Sequence, residues 1–274
     1  MGRVIKMVSY PFVCPKCRQK LTLEGKSYLC SDGHCYDVAK SGYVNLVLVN
    51  NKHSADPGDN KEMIRARVLV MDAGYYDSLS DCIVDVLRDL PHSAVLDSGC
   101  GVGSVTGRIK DAFPDSLVLG SDISKNAAEA AAKKYKNVPF CVASGNDLPV
   151  ADQSQDAVIC AFAPVFEKEF LRVLRPGGIF IRVVPDVKHL FGLKSILYST
   201  PRLNERDTDE PTGFEKIATR FVADDFTAKG EVVSSLIKMT PYYYHTKKED
   251  LDRVFAMPSI VTNRAFEVRV YRKN

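Results

Sequence analysis

The stretch Ala94-Val95-Leu96-Asp97-Ser98-Gly99-Cys100-Gly101-Val102-Gly103-Ser104-Val105-Thr106-Gly107 decides the fold. Its first three residues form a short apolar run that suits a strand buried on both faces of a parallel sheet. Asp97 stands at the carboxyl end of that run, and Gly99, Gly101 and Gly103 follow at alternate positions. Glycine repeated in this way permits a sharp turn and lets a ligand approach the backbone closely. In open α/β sheets ligands lie outside the carboxyl ends of the strands, where a following helix also presents unpaired amides. The dinucleotide fingerprint G-x-G-x-x-G fits neither register, because its last position falls on Ser104 or on Thr106.

The observed pattern, Asp97-x-Gly99-x-Gly101-x-Gly103, resembles motif I of the Rossmann-like, S-adenosylmethionine-dependent methyltransferases. A second acid agrees with it. Leu117 to Asp122 reads as the next strand, and Asp122 ends it where a carboxylate can accept hydrogen bonds from ribose hydroxyls. Two other readings of these residues are a nucleotide-binding fold with different chemistry and an ordinary strand-to-helix turn beside a surface aspartate. Cys100 suits the turn simply as a small residue, and no paired base marks it as catalytic.

Strands and helices alternate onward from there. Val105 to Phe113 reads as a helix, and Ser124 to Tyr135, rich in alanine, as a second one capped by Ser124. Pro139 to Ala143 is a strand, and the turn Ser144 to Pro149 resembles the adenine-binding turn of methyltransferases, with Ser144 where an acid often stands. Asp156 to Ala161 is a further strand, and the turn after it, Phe162-Ala163-Pro164, is a candidate wall for a target base. Glu167 to Leu174 reads as a helix stopped by Arg175-Pro176-Gly177-Gly178, and Ile179 to Val184 as the next strand. This alternation predicts a parallel sheet with right-handed crossovers. Ala265 to Tyr271 is an alternating terminal strand. Aromatics after Thr240 are suited either to stacking on a flipped base or to core packing.

Upstream of the glycine loop, Glu62 to Ala73 has helical spacing, with Met63, Ala66, Val70 and Ala73 on one face and Arg65 and Arg67 projecting elsewhere. A second helix runs from about Leu79 to Leu90. The polar stretch Asn50 to Asn60 reads as a linker.

Length and composition are those of an ordinary globular protein: 274 residues, 45% hydrophobic and 26% charged. The net charge of +3 permits a local contact with a polyanion without demanding one. With no apolar run of membrane-spanning length and no apolar core near Met1, neither a membrane span nor a secretion signal is expected, and a cytoplasmic location is. Of eight cysteines, Cys14, Cys17, Cys30 and Cys35 crowd the front. Cys14-Pro15-Lys16-Cys17, followed by Cys30 and His34, supplies sulfur and nitrogen donors in the number that structural zinc requires. Cys35 competes with His34 for the fourth position. From Tyr36 to Leu46, aromatic and basic residues interleave, which suits base stacking and phosphate contact as well as it suits packing of a small zinc unit.

Taken together, these features are similar to those of the bacterial 23S ribosomal RNA guanine-N1-methyltransferase family, often called RlmA. The resemblance rests on Cys14-Pro15-Lys16-Cys17, Cys30 and His34, on Asp37 to Leu46, on Asp72-Ala73-Gly74-Tyr75-Tyr76, on Asp97 to Gly103, on Lys188-His189-Leu190 and on Met239-Thr240-Pro241. It implies an α/β fold, with a small zinc-binding, RNA-recognition domain over 1–48, a linker and helical segment over 49–92, and a Rossmann-like class I methyltransferase domain over 93–274. It implies zinc on Cys14, Cys17, Cys30 and His34. It places S-adenosylmethionine against Tyr76, Asp97, Gly99, Cys100, Gly101, Gly103, Asp122 and His189. The substrate it implies is a guanine in a hairpin of 23S rRNA, and the assembly a homodimer. Asp56-Pro57-Gly58-Asp59 points to the branch typical of Gram-negative bacteria. Methylation at guanine N1 requires loss of a proton and hence a general base, which the sequence leaves unassigned. Two rival readings are a non-catalytic zinc and RNA-binding protein with a methyltransferase-like core, and a methyltransferase of small molecules.

Overall fold

The computed structural model describes residues 12–48 and 58–274. The linker read over Asn50 to Asn60 therefore lies mostly outside the described residues, as do Asp56 and Pro57. The front of the chain folds as a three-stranded antiparallel sheet of β1 (Thr22–Glu24), β2 (Ser27–Leu29) and β3 (Cys35–Asp37). The next strand, β4 (Val44–Asn45), leaves this unit and joins the main sheet, where it runs parallel to β7 (Phe140–Val142). Sheet membership thus crosses the boundary expected near residue 48.

Two helices follow, α1 (Lys61–Asp72) and α2 (Asp77–Arg88). The buried residues of α1 are Ile64, Ala66 and Val70, whereas Ala73 is exposed, so the inward face is rotated from the one expected. After them the expected alternation appears: β5 (Ala94–Ser98), α3 (Ser104–Ala112), β6 (Leu117–Asp122), α4 (Lys125–Lys134), β7, β8 (Gln155–Ala161), α5 (Glu167–Val173) and β9 (Leu174–Pro185). Strand β9 begins earlier than expected, because the Arg175-Pro176-Gly177-Gly178 turn is taken into it. The remainder comprises α6 (Phe191–Leu197), β10 (Phe214–Lys229), α7 (Glu231–Lys238), α8 (Tyr242–His245), α9 (Lys248–Phe255) and β11 (Ser259–Lys273).

Among the described residues the main sheet has the order β10-β11-β9-β8-β5-β6-β7-β4. The strands from β9 to β4 are parallel, as expected, and β11 and β10 add an antiparallel pair at one edge. Alternate residues of the central strands enter opposite cores, as a two-residue period requires. Val95, Val118, Ile159 and Ile181 pack with α1, α2, α6 and α7 on one face. Leu96, Leu119, Val158 and Phe180 pack on the other, where Phe12, Leu21 and Tyr28 of the front unit complete the cover. The front unit is therefore part of the wall of the sheet, and the apolar run that opens the decisive stretch is buried on both faces.

Candidate donor cavity and metal centre

Three cavities meet at the carboxyl ends of β5, β6 and β8. The first, of about 280 Å³, is lined by Gly99, Gly101, Asp122, Ser144, Gly145 and Phe162. A smaller one, of about 60 Å³, lies under the glycine turn against Tyr76, Asp97 and Cys100. The third, of about 340 Å³, opens among Tyr76, Phe162, His189, Asn204, Thr240 and Tyr242.

Two glycines of the turn adopt backbone conformations that side chains disfavour, and both line the first cavity. Gly99 has a φ of 78°, and a Cβ there would lie 2.5 Å from the Cβ of Ala163. Gly101 has a φ of 53°, the left-handed region that side chains disfavour. Its amide donates to Oδ2 of Asp122 at 2.8 Å, while the amide of Ser124 donates to Oδ1 at 2.8 Å. Both oxygens of Asp122 are thus oriented by backbone and keep lone pairs for hydroxyl donors in the cavity. The N-cap of α3 is Gly103, which makes no side-chain cap, so the first amides of the helix remain turned toward the same end of the sheet.

Asp97 is almost wholly buried and accepts the Thr106 hydroxyl on Oδ2 at 2.6 Å. Burial pushes its carboxyl up to about 7, opposed by the Thr106 hydrogen bond and reinforced by the charge of Asp122. A buried carboxylate without a cation is costly, which fits a site whose ligand brings a positive group. Asp122 is also raised, chiefly by burial.

His189 lies in an aromatic cluster, 4.8 Å from Phe266 and stacked on Phe162 at 6.2 Å between ring centroids. Its Nδ1 accepts the amide of Ala265 at 3.3 Å, so the proton of the neutral ring sits on Nε2. Burial, helped by the charge of Lys194 and opposed by Asp186, holds this imidazole down at about 4. Asn204 fastens the loop: its Nδ2 donates to the carbonyls of Asp186 and His189, and its Oδ1 accepts from Lys194.

The residues expected at the donor are therefore not all in one place. Gly99, Gly101 and Asp122 line the first cavity, Asp97 and Cys100 the small one, Tyr76 the small and third ones, and His189 the third. Gly103 lines none of the three. A Cβ on it would press on Ala131 and Phe140, so its smallness lets α4 and β7 close against the turn. Phe162-Ala163-Pro164 does line the first cavity, and of the aromatics after Thr240 it is Tyr242 that reaches the third. Arg67 was expected to project elsewhere, yet it borders all three cavities and pairs with Asp59 at 2.6 Å. The sequence offers no signal for this, since a lone arginine on a helix is most often solvated.

At the front, the ligand atoms of Cys14, Cys17, Cys30 and His34 lie within 4.8 Å of one another. Cys17 and Cys30 sulfurs are 3.6 Å apart, and Nδ1 of His34 is 3.5 Å from Cys14 Sγ and 3.3 Å from Cys30 Sγ. A tetrahedral site with zinc–sulfur bonds of about 2.3 Å has sulfur–sulfur edges of roughly 3.8 Å, so the donor set fits zinc in chemistry and in size. The Tyr36 hydroxyl, 3.2 Å from Cys14 Sγ, supports the site from outside. Cys35 is exposed and stands outside the cluster.

A Rossmann-like sheet with an acid-flanked glycine turn, joined to a four-donor zinc ribbon, defines an S-adenosylmethionine-dependent methyltransferase with a structural zinc. Comparison with known proteins agrees. A family model described as "RlmA, N-terminal", a zinc ribbon, matches residues 12–55, and a "Methyltransferase domain" model matches 95–178. A 23S rRNA (guanine(748)-N(1))-methyltransferase of Streptomyces fradiae is 32% identical over 264 residues, covering 90% of this chain and 91% of its own. The protein YxjB of Bacillus subtilis (strain 168) is 30% identical over 266 residues, covering 90% and 92%. This chain belongs to the 23S rRNA (guanine-N1)-methyltransferase family. Among solved structures, the [4+2]-cyclase SpnF superposes with a TM-score of 0.50 at 16% identity over 80% of this chain and 99% of its own, a likeness of fold alone.

Proposed function

We propose that this protein transfers the methyl group of S-adenosylmethionine to N1 of a guanine in a hairpin of 23S rRNA. The observation that carries this reading is the union, in one chain, of the glycine-turn cavity and the RlmA-type ribbon, along a length shared with the family. In this reading Cys14, Cys17, Cys30 and His34 hold zinc. The donor lies over Gly99 and Gly101 with its ribose toward Asp122 and its charged end toward Asp97, while Tyr76 and His189 border the transferable methyl group. The neutral imidazole of His189 serves as a contact, since its Nδ1 is already engaged by the backbone. The division into 1–48, 49–92 and 93–274, the hairpin context, the homodimer and a cytoplasmic location rest on the family resemblance. Among the described residues no helix is long and apolar enough to cross a membrane.

The test is methylation of 23S rRNA transcribed without modifications, read by primer extension, because a methyl on N1 blocks Watson–Crick pairing. One donor-dependent stop at a guanine is expected. Tight binding of rRNA without any stop would favour the non-catalytic rival, and turnover of small acceptors with no stop the other.

A further inference from the structure

Resting on that reading, we infer that Asp59 is the general base of the reaction and reads the N1–H and N2–H edge of the target guanine. The first and third cavities are neighbours, and Asp59, Arg67 and Phe162 border both. If the donor fills the first, the methyl group is delivered at this shared boundary, and the acceptor base occupies the third. Phe162 suits such a boundary. It has a φ of 56°, an unusual conformation for a bulky residue, and the residue is 43% exposed while lining both cavities.

Guanine presents N1–H and N2–H side by side, a pair of donors that a carboxylate accepts with its two oxygens. Among the described residues, the other titratable groups around these two cavities are unsuited to take the N1 proton. Asp122, on β6, already accepts a backbone amide on each oxygen and lies on the ribose side. His189 has its Nδ1 lone pair committed to Ala265 and a proton on Nε2. Tyr76 and Tyr242 are held in the phenol form, the first raised by burial and the second pushed up to about 12 by the same cause. Arg67 is a permanent cation. Asp97 lies beneath the turn with Thr106 on it and borders only the small cavity.

Asp59 remains, and it is held in place. Arg67 donates to its Oδ2 at 2.6 Å, and the Ser124 hydroxyl donates to its backbone carbonyl at 2.9 Å. Among the described residues Arg67 alone is seen to donate to this carboxylate, so Oδ1 keeps acceptor capacity. In the transfer, the N1 nitrogen forms a bond to the methyl carbon as the carbon–sulfur bond breaks. The sulfur keeps that electron pair and becomes a neutral thioether. The N1 proton passes to Asp59, which later returns it to solvent. Attack by N1 makes its proton far more acidic, so a carboxylate within hydrogen-bond reach is a sufficient acceptor.

The experiment compares wild type with Asp59→Asn and Asp59→Glu. Single-turnover methylation on unmodified 23S rRNA is followed between about pH 6 and 9, together with calorimetric affinity for S-adenosylhomocysteine. For Asp59→Asn the rate should fall about 100-fold or more at neutral pH, within the range for loss of a general base. Its remaining rate should climb about tenfold per pH unit as guanine ionises by itself, whereas wild type stays nearly flat. S-adenosylhomocysteine affinity should stay within about twofold, and Asp59→Glu should recover part of the rate with a flat profile. A rate within about threefold of wild type, a profile parallel to wild type, or a matching loss of S-adenosylhomocysteine affinity would each overturn the assignment. A wild-type enzyme that produces no primer-extension stop would instead overturn the functional reading on which it stands.

Discussion

At the scale of single residues, Asp97 shows how a binding site costs the empty protein stability. Its carboxyl ionises near 7 in the fold but near 4 in an unfolded chain. Between those values the folded state holds more protons, so the contribution of this group is fully present below about pH 4 and is lost as pH rises through about 7. The loss is on the order of 4 kcal/mol for a wholly buried group. Asp97→Asn removes the charge while keeping an acceptor for Thr106. In thermal melts without ligand it should be more stable than wild type at pH 8, with the gap closing at pH 4.5, while its affinity for S-adenosylmethionine falls. Equal gaps at both pH values would mean that Asp97 is not the titrating group. The place of Asp97, Gly99, Gly101 and Asp122 at the carboxyl ends of β5 and β6, beside the cavities, was legible because a short spacing fixes it. Asp59, Arg67 and Asn204 were not, since each reaches the cavities only through the packing of α1 or of the loop before β10.

Elements differ in how openly the chain declares them. Helix α4 was legible to its cap: Ser124 Oγ accepts the amide of Ala127 at 3.3 Å, as its sequence position suggested. The same hydroxyl reaches the Asp59 carbonyl, so Ser124→Ala should lower stability by about 1 kcal/mol in urea unfolding and slow methylation as well. A purely local cap would change the first and leave the second alone. Strand β10 went unread. Its ladder with β11 slips between Lys216 and Ala218, and such a bulge shifts the alternation of side chains partway along. Strand β11 betrays itself by composition, yet it is buried continuously from Ala265 to Tyr271 because β10, β9 and both layers cover it.

For the molecule as a whole, the zinc ribbon is a neighbour of the donor cavity. Val13 donates to the carbonyl of Pro149 at 2.9 Å, and Arg18 pairs with Asp147 at 3.1 Å, so the ribbon grips the turn that begins with Ser144 and Gly145. Its three-residue strands bury too little to hold shape alone, and metal binding supplies much of their folding energy. Removing zinc with a chelator should therefore lower the melting temperature and weaken S-adenosylhomocysteine binding severalfold, although no zinc ligand borders the cavity. Metal-free protein with unchanged melting and affinity would show the ribbon to be a passive appendage.

The short strand β4 carries that coupling into inheritance. Leu46 donates to the carbonyl of Val142, and Val44 and Asn45 lie alongside Cys141 and Val142, so the ribbon's own continuation is stitched to the rim of the catalytic sheet. A chimera that exchanged ribbons between relatives would need its crossover point before Val44, so that β4 stays with its own β7. Cutting beyond Leu46 would graft a foreign hem onto β7, and cutting it away would leave a bare margin open to any passing chain.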